Sequence, residues 1–277
     1  MNENEENTQK QGNLVLFFVI AFVWTWLIWI PDGLGKRGIL PDSIWTNLGF
    51  FGAWGPLIAA LILKAREGGK EGVKALFRKG IDHNFPKVWW IPIFFLFPFL
   101  IIISYFIAIE FDQMVPPSEA TEFLPFLPFI FFKVLFTSGP FQEEFGSRGY
   151  ALPLLKKKYS VLTSSIILGF LWAIWHLPQF LVPVEKTGMF YITPIWLFIL
   201  TVMTANILYS WIFNNTNQSV LASLILHAQM NFFFWIFPVL YTPTGYLFVL
   251  IIFLIVAAIV VIMNKKNIFK TARKGLF

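Results

Sequence analysis

The sequence predicts an all-α fold, a polytopic membrane helix bundle with about eight transmembrane helices. Three observations lead there. Hydrophobic residues make up 57% of the 277-residue chain and charged residues only 13%, against roughly a quarter charged in a soluble domain. The apolar residues fall into runs of about twenty, the length that crosses a hydrocarbon core as a helix. Lys186 and Lys265 bracket 78 residues without one Asp, Glu, Lys or Arg.

The elements follow in order. The polar start, MNENEENTQKQGN, lacks the basic opening and small-residue cleavage site of a secretory signal, so the first apolar run, 14–31, is read as a retained span. The second run is 44–63, with a Trp54-Gly55-Pro56 kink, and the third is 88–109. The fourth starts near Phe123 and continues through Gly139–Pro140 into a charged patch that ends by Leu155; the proline bends it by removing a backbone donor. The fifth is 160–182. The polar interruptions NNTNQS and TPTG divide the uncharged block into spans near 192–213, 219–240 and 246–263. The segment 64–80 reads either as a solvated basic loop or as a lipid-binding helix along the inner membrane surface, a helix that Gly68, Gly69 and Gly72 would weaken, and His83 is an ordinary loop residue. The expected organisation is a polar tail at 1–12, one transmembrane unit at 13–264 and a basic tail at 265–277, with no internal repeat.

An even number of spans puts both termini on one side. With the termini in the cytosol, 17 of the 21 Lys and Arg lie in inside segments; Lys36, Arg37 and Lys186 lie outside and Lys133 falls within a span. That asymmetry is the positive-inside signature. It predicts an integral protein with cytosolic termini, in the plasma (inner) membrane if the host is prokaryotic. It also accounts for the net charge of +6 without a nucleic-acid partner, since the basic runs lack the interleaved aromatics of such modules. With no cysteine in the chain, thiol nucleophiles, disulfides and cysteine-based metal centres are excluded.

Against this background the charges in FQEEFGSRGYALPLL, residues 141–155, need a reason. A charge at mid-bilayer costs about 2.5–3.5 kcal/mol on insertion scales. Glu144 and Arg148 are four apart and pair on one helical face; Glu143 points away from them and is surplus to that pair. Two histidines lie inside other spans, His176 and His227, and Asn231 follows His227 by one turn. Counting 1.5 Å per residue, these groups fall within roughly 12–25 Å of the inner face, so one water-filled pocket open to the cytosol can gather them. A carboxylate there takes a proton from water. An imidazole holds that water or completes a Zn²⁺ site, with Glu143, His176 and His227 as the candidate ligands. A His–Asn pair offers N–H donors to an oxyanion. Together they describe hydrolysis of an acyl bond, most naturally a peptide. No HExxH, GxSxG or GxGD pattern is present, so the common zinc, serine and aspartyl templates do not apply.

Glu-Glu-x-x-x-Arg (Glu143, Glu144, Arg148), His-Leu-Pro (His176–Pro178) and His-x-x-x-Asn (His227, Asn231), in this order over roughly residues 44–235, resemble the CPBP family: type II CAAX prenyl endopeptidases and bacterial relatives, some linked to bacteriocin self-immunity. The resemblance implies an eight-helix bundle with a cavity open to the cytosol. It implies that Glu143 and His176 activate water, that His227 and Asn231 stabilise the oxyanion, and that Glu144 supports the site. Arg148 would orient the carboxylates or meet a substrate carboxylate. The implied partners are the lipid bilayer and a peptide or prenylated protein. Both a metal-assisted and a metal-free glutamate mechanism stay open. Trp172 stands where the family often has Phe, which bears on substrate fit.

Two other readings remain. One is a non-catalytic membrane protein that binds a peptide, bacteriocin or partner enzyme. The other is a transporter with Glu143 and Glu144 as a proton relay. Lys133 is expected to snorkel outward or pair with an acidic loop residue, and Asn206 to bond a neighbouring helix or face the cavity.

Overall fold

A computed structural model of the chain describes residues 12–118, 122–182 and 194–269. The tail at 1–11, Lys186 and the tail beyond 269 lie outside the described residues. The all-helical class is borne out: every regular element among the described residues is a helix. Five stretches are long and apolar enough to cross a membrane: Leu14–Lys36, Lys87–Phe111, Val161–Leu181, Ile195–Asn215 and Pro243–Met263. A sixth span is the pair Leu124–Thr137 and Pro140–Lys156, bent by 41°. The expected count of eight is therefore approximate. The other two apolar segments are shorter as spans: Val220–Ile236 has 17 residues, and Gly55–Lys79 is apolar only in its first half.

Helix α1 (Leu14–Lys36) starts where the Asn13 side chain accepts the Leu16 N–H, a cap for one of the donors a helix start leaves open. The second expected span does not begin at 44. Residues 44–52 form short helical turns, and α2 (Gly55–Lys79) begins after Trp54. The irregular stretch docks on α1, whose side chains satisfy its carbonyls. Trp24 donates to Phe51 O (2.9 Å), Thr25 to Gly52 O (2.7 Å) and Trp29 to Gly49 O (2.7 Å). Non-helical backbone survives in an apolar setting only with such partners. Helix α2 loses helical geometry at Gly68 and Gly69, the latter at φ +57°, as the glycines predict, and carries Lys64, Arg66, Lys70, Lys74, Arg78 and Lys79 from its middle to its C-terminal end.

Helix α3 (Trp90–Phe111) returns across the bundle. Helix α4 (Leu127–Thr137) then stops at Ser138, and Gly139, at φ +106°, turns the chain into α5 (Pro140–Gly146). A π-helical turn, Ser147–Ala151, joins α5 to α6 (Leu152–Lys156); such bulges break helical register and recur at functional sites. Helices α7 (Val161–Trp175), α8 (Ile195–Asn215), α9 (Val220–Ile236) and α10 (Pro243–Met263) complete the bundle. The polar interruptions seen in the sequence become caps: Ser219 accepts the Ala222 N–H and Thr242 the Gly245 N–H.

Two apolar cores result. One joins α3, α8, α9 and α10 through Phe97, Ile101, Leu208, Leu226 and Phe253; the other joins α1, α2, α5, α6 and α7 through Phe17, Leu57, Phe145, Leu152 and Leu168. Because lipid tails are as apolar as leucine, close backbone contact and polar links matter more here than apolar burial. A methyl group on Gly146 would lie 2.5 Å from the Pro56 carbonyl oxygen, and one on Gly169 2.8 Å from Met203 Cα. The outward face stays apolar, with Val19, Leu27, Phe95 and Leu254 exposed, as an integral membrane protein requires. The site lies between the two cores, where α5, α7, α8 and α9 meet.

Candidate active site

The break at Ser138–Gly139 decides where the two glutamates go. It starts a new helix at Pro140, and Glu143 donates its backbone N–H to the Gly139 carbonyl (2.8 Å) in the first turn of α5. The Glu143 Oε1 oxygen folds back over Gly139: a Cβ there would lie 2.6 Å from it. Glu143 Oε2 accepts the indole N–H of Trp172 at 2.6 Å. The carboxylate is held from two sides, with its backbone carbonyl accepting the Ser147 hydroxyl (2.7 Å).

Glu144, on the adjacent face, takes a different role. Its Oε1 accepts from Arg148 Nη1 (3.1 Å) and from His227 Nδ1 (2.8 Å). Arg148 Nη1 also donates to Ser147 Oγ (3.1 Å), and Nη2 donates to Asn206 Oδ1 (2.8 Å). Its guanidinium carbon lies 4.4 Å from the Tyr209 ring centroid and 4.9 Å from that of Trp172. Both Glu144 and Arg148 have no exposed surface. A buried ion pair relies on extra hydrogen bonds to its members; here Ser147, Asn206 and His227 supply some, while Glu144 Oε2 and Arg148 Nε are buried without a partner.

A cavity of about 370 Å³ borders this network. Glu143, Trp172, His176, His227 and Asn231 all line it; Glu144 and Arg148 do not. The structure thus brings four of the six singled-out residues to one wall and places the other two behind it. His176 donates its Nδ1–H to the Trp172 carbonyl (2.8 Å), because a carbonyl only accepts, so Nε2 carries the lone pair. His227, with Nδ1 engaged by Glu144, presents Nε2. Asn231 gives one amide N–H to the Ser138 carbonyl (2.8 Å) and keeps its second for another acceptor. The lining extends from His227 along α9 towards Trp235 and Tyr241.

Several participants escaped the sequence reading. Trp172 counted only as a ring, yet it is the donor that fixes Glu143. Asn206, expected to bond a neighbouring helix, does so directly to Arg148. Tyr209 lies three residues on, on the same face of α8, a spacing that could have flagged it. Lys133 is exposed on α4. Zinc finds no fitting set: among the described residues no three His, Asp or Glu side chains form a group able to hold a metal ion, the trio Glu143, His176 and His227 included.

Two comparisons bear out the resemblance read from the motifs. Residues 125–233, which contain every singled-out residue, match the family model described as type II CAAX prenyl endopeptidase Rce1-like. The chain is also 25% identical over 273 residues to CAAX prenyl protease 2 of Methanococcus maripaludis, covering 93% of this chain and 96% of that relative.

Proposed function

We propose that this chain is an intramembrane endopeptidase that cleaves a membrane-associated peptide with water activated by Glu143 and His176. The observation that carries the reading is the convergence of Glu143, His176, His227 and Asn231 on one cavity within an apolar bundle. The family match and the archaeal relative support the reaction class.

In the mechanism, water donates to Glu143 and to the His176 Nε2 lone pair. As its oxygen bonds to the scissile carbonyl carbon, its proton passes to Glu143, and the carbonyl electron pair moves onto oxygen. Asn231 meets that oxyanion with its second amide N–H, and His227 does so through Nε2 when the ring carries both protons. The C–N bond then breaks, and protonated Glu143 returns its proton to the leaving amine. General base catalysis of this kind contributes about 10²–10⁴ in rate and an oxyanion donor about 10²–10³. Glu144 orients His227, and Arg148 holds Glu144 from behind. No step runs through a metal.

The relative's name couples a peptide to a prenyl group. Carried to this chain, it makes the substrate a lipid-anchored or otherwise apolar peptide, CAAX-type C-terminal processing being one form. The distribution of Lys and Arg supports termini in the cytosol and, if the host is prokaryotic, a place in the plasma membrane. Purified protein in detergent, incubated with fluorogenic prenylated and acylated peptides and read by mass spectrometry, should yield two peptide products. Tight binding of these peptides with no product would favour the non-catalytic binding protein instead.

A further inference from the structure

His176 stands where a helix gives least support. It follows Trp175, the last residue of α7, and its backbone N–H is shared between the Trp172 carbonyl (3.3 Å) and that of Ala173 (3.2 Å). The last carbonyls of a helix have no partner within it, and such ends fray. An imidazole at this point keeps one position only if something outside α7 holds it.

Helix α1 does so. The Trp26 indole donates to the Trp175 carbonyl (3.0 Å), taking one of those open acceptors. The Thr25 hydroxyl accepts the Trp175 indole N–H (2.8 Å) and donates its own proton to the Gly52 carbonyl (2.7 Å). A hydroxyl donates and accepts at once; an apolar side chain does neither. Trp29, anchored on the Gly49 carbonyl (2.7 Å), packs on Trp175 with ring centroids 4.7 Å apart. Trp175 in turn meets the His176 ring at 4.5 Å between centroids and 86° between planes. Beyond His176, Arg37 donates to the carbonyls of Phe180 and Leu181, and a Cβ on Gly33 would lie 2.6 Å from Leu181 Cβ. Helix α1 therefore holds the chain on both sides of His176.

These groups do not face the reaction. Thr25 has 0% exposure, Trp175 2% and Trp29 5%. None of Thr25, Trp26, Trp29 and Trp175 lines the cavity that His176 lines. Burying polar groups in an apolar bundle is costly unless each finds a partner, and apolar side chains would suffice to pack α1 on α7. A satisfied line of directed hydrogen bonds adds what packing alone does not, a single fixed arrangement.

We propose that Thr25 and Trp175 are positioning residues for His176: the line from the Gly52 carbonyl through Thr25 to Trp175 sets where the imidazole stands at the cavity wall. The consequence for rate rests on the peptidase reading; the positioning does not.

Thr25→Val keeps the shape of the side chain and removes both hydrogen bonds. A displacement of about 1 Å in a reacting group costs about 10²-fold, so kcat on a lipidated peptide should fall about ten- to a hundredfold with KM nearly unchanged. Thr25→Ser should recover most of that loss. A second readout needs no substrate. The chain has three histidines, so in protein labelled with ¹³C and ¹⁵N in the imidazole ring each NMR signal is assigned by replacing one histidine at a time. Thr25→Val should move the His176 signals and leave those of exposed His83 in place. Trp26→Phe, a milder change at a half-buried residue, should move them too, and serves if Thr25→Val does not fold. Unmoved His176 signals in a folded variant, or a kcat that falls only as far as the folded fraction, overturn the inference. Moved signals in a protein that cleaves no peptide leave the positioning in place and count against the peptidase reading alone.

Discussion

The Trp172 indole donates a 2.6 Å hydrogen bond to Glu143 Oε2, joining α7 to α5 across 29 positions of sequence. The same residue's carbonyl accepts from His176 Nδ1. One tryptophan therefore sets both the carboxylate and the imidazole assigned to water activation.

Trp172→Phe keeps a ring in place but removes the donor. A hydrogen bond to a charged group is worth about 1.5–3 kcal/mol, so kcat should fall about tenfold or more with KM little changed. Steady-state kinetics on a cleaved lipidated peptide checks this; an unchanged kcat would make Trp172 a packing residue only.

Arg148 has no exposed surface and binds Glu144, Ser147 and Asn206. Arg148→Ala leaves the Glu144 carboxylate buried without its cation, a loss of about 3–5 kcal/mol in measured cases. Thermal unfolding in detergent should show a marked drop in Tm. Arg148→Lys keeps charge without the planar fork and should recover only part of it.

Gly139 sits at φ +106°, and a Cβ there would meet Glu143 Oε1 at 2.6 Å. Gly139→Ala therefore strains the backbone by about 1–3 kcal/mol and displaces the carboxylate. Activity should fall well beyond the change in Tm; full activity in a stable Gly139→Ala protein would contradict the assigned position of Glu143.

Because Glu143, His176 and His227 do not form a metal-holding group, chelators should leave the cleavage rate unchanged. Loss of activity on treatment with a strong zinc chelator, restored by added Zn²⁺, would revive the metal-assisted mechanism.

Much of this was legible in the sequence because charge is so costly in an apolar chain. Glu143, Glu144, Arg148, His176, His227 and Asn231 stood out by type alone, and the i, i+4 spacing of Glu144 and Arg148 gave their ion pair. Helix existence followed from apolar runs, and the breaks between the last three helices from the polar interruptions at 214–219 and 242–245. Hydropathy does not report geometry, however. The stretch at 44–52 is apolar, with Ile44, Trp45, Phe50 and Phe51 exposed outward, yet it forms short helical turns and not one spanning helix. Trp172 and Tyr209 looked like two more aromatics in a chain that is 19% aromatic; their roles depend on partners 29 or more positions away.

The most direct test of the central claim compares wild type with Glu143→Gln in cleaving one lipidated fluorogenic peptide under single-turnover conditions. Glutamine keeps the size and can still accept from Trp172, but it cannot take the proton from water. The Glu143→Gln rate should be about 10²–10⁴ lower, with binding of the peptide retained. A Glu143→Gln protein that cleaves at the wild-type rate would mean that another group activates the water, and the assignment of Glu143 would be withdrawn.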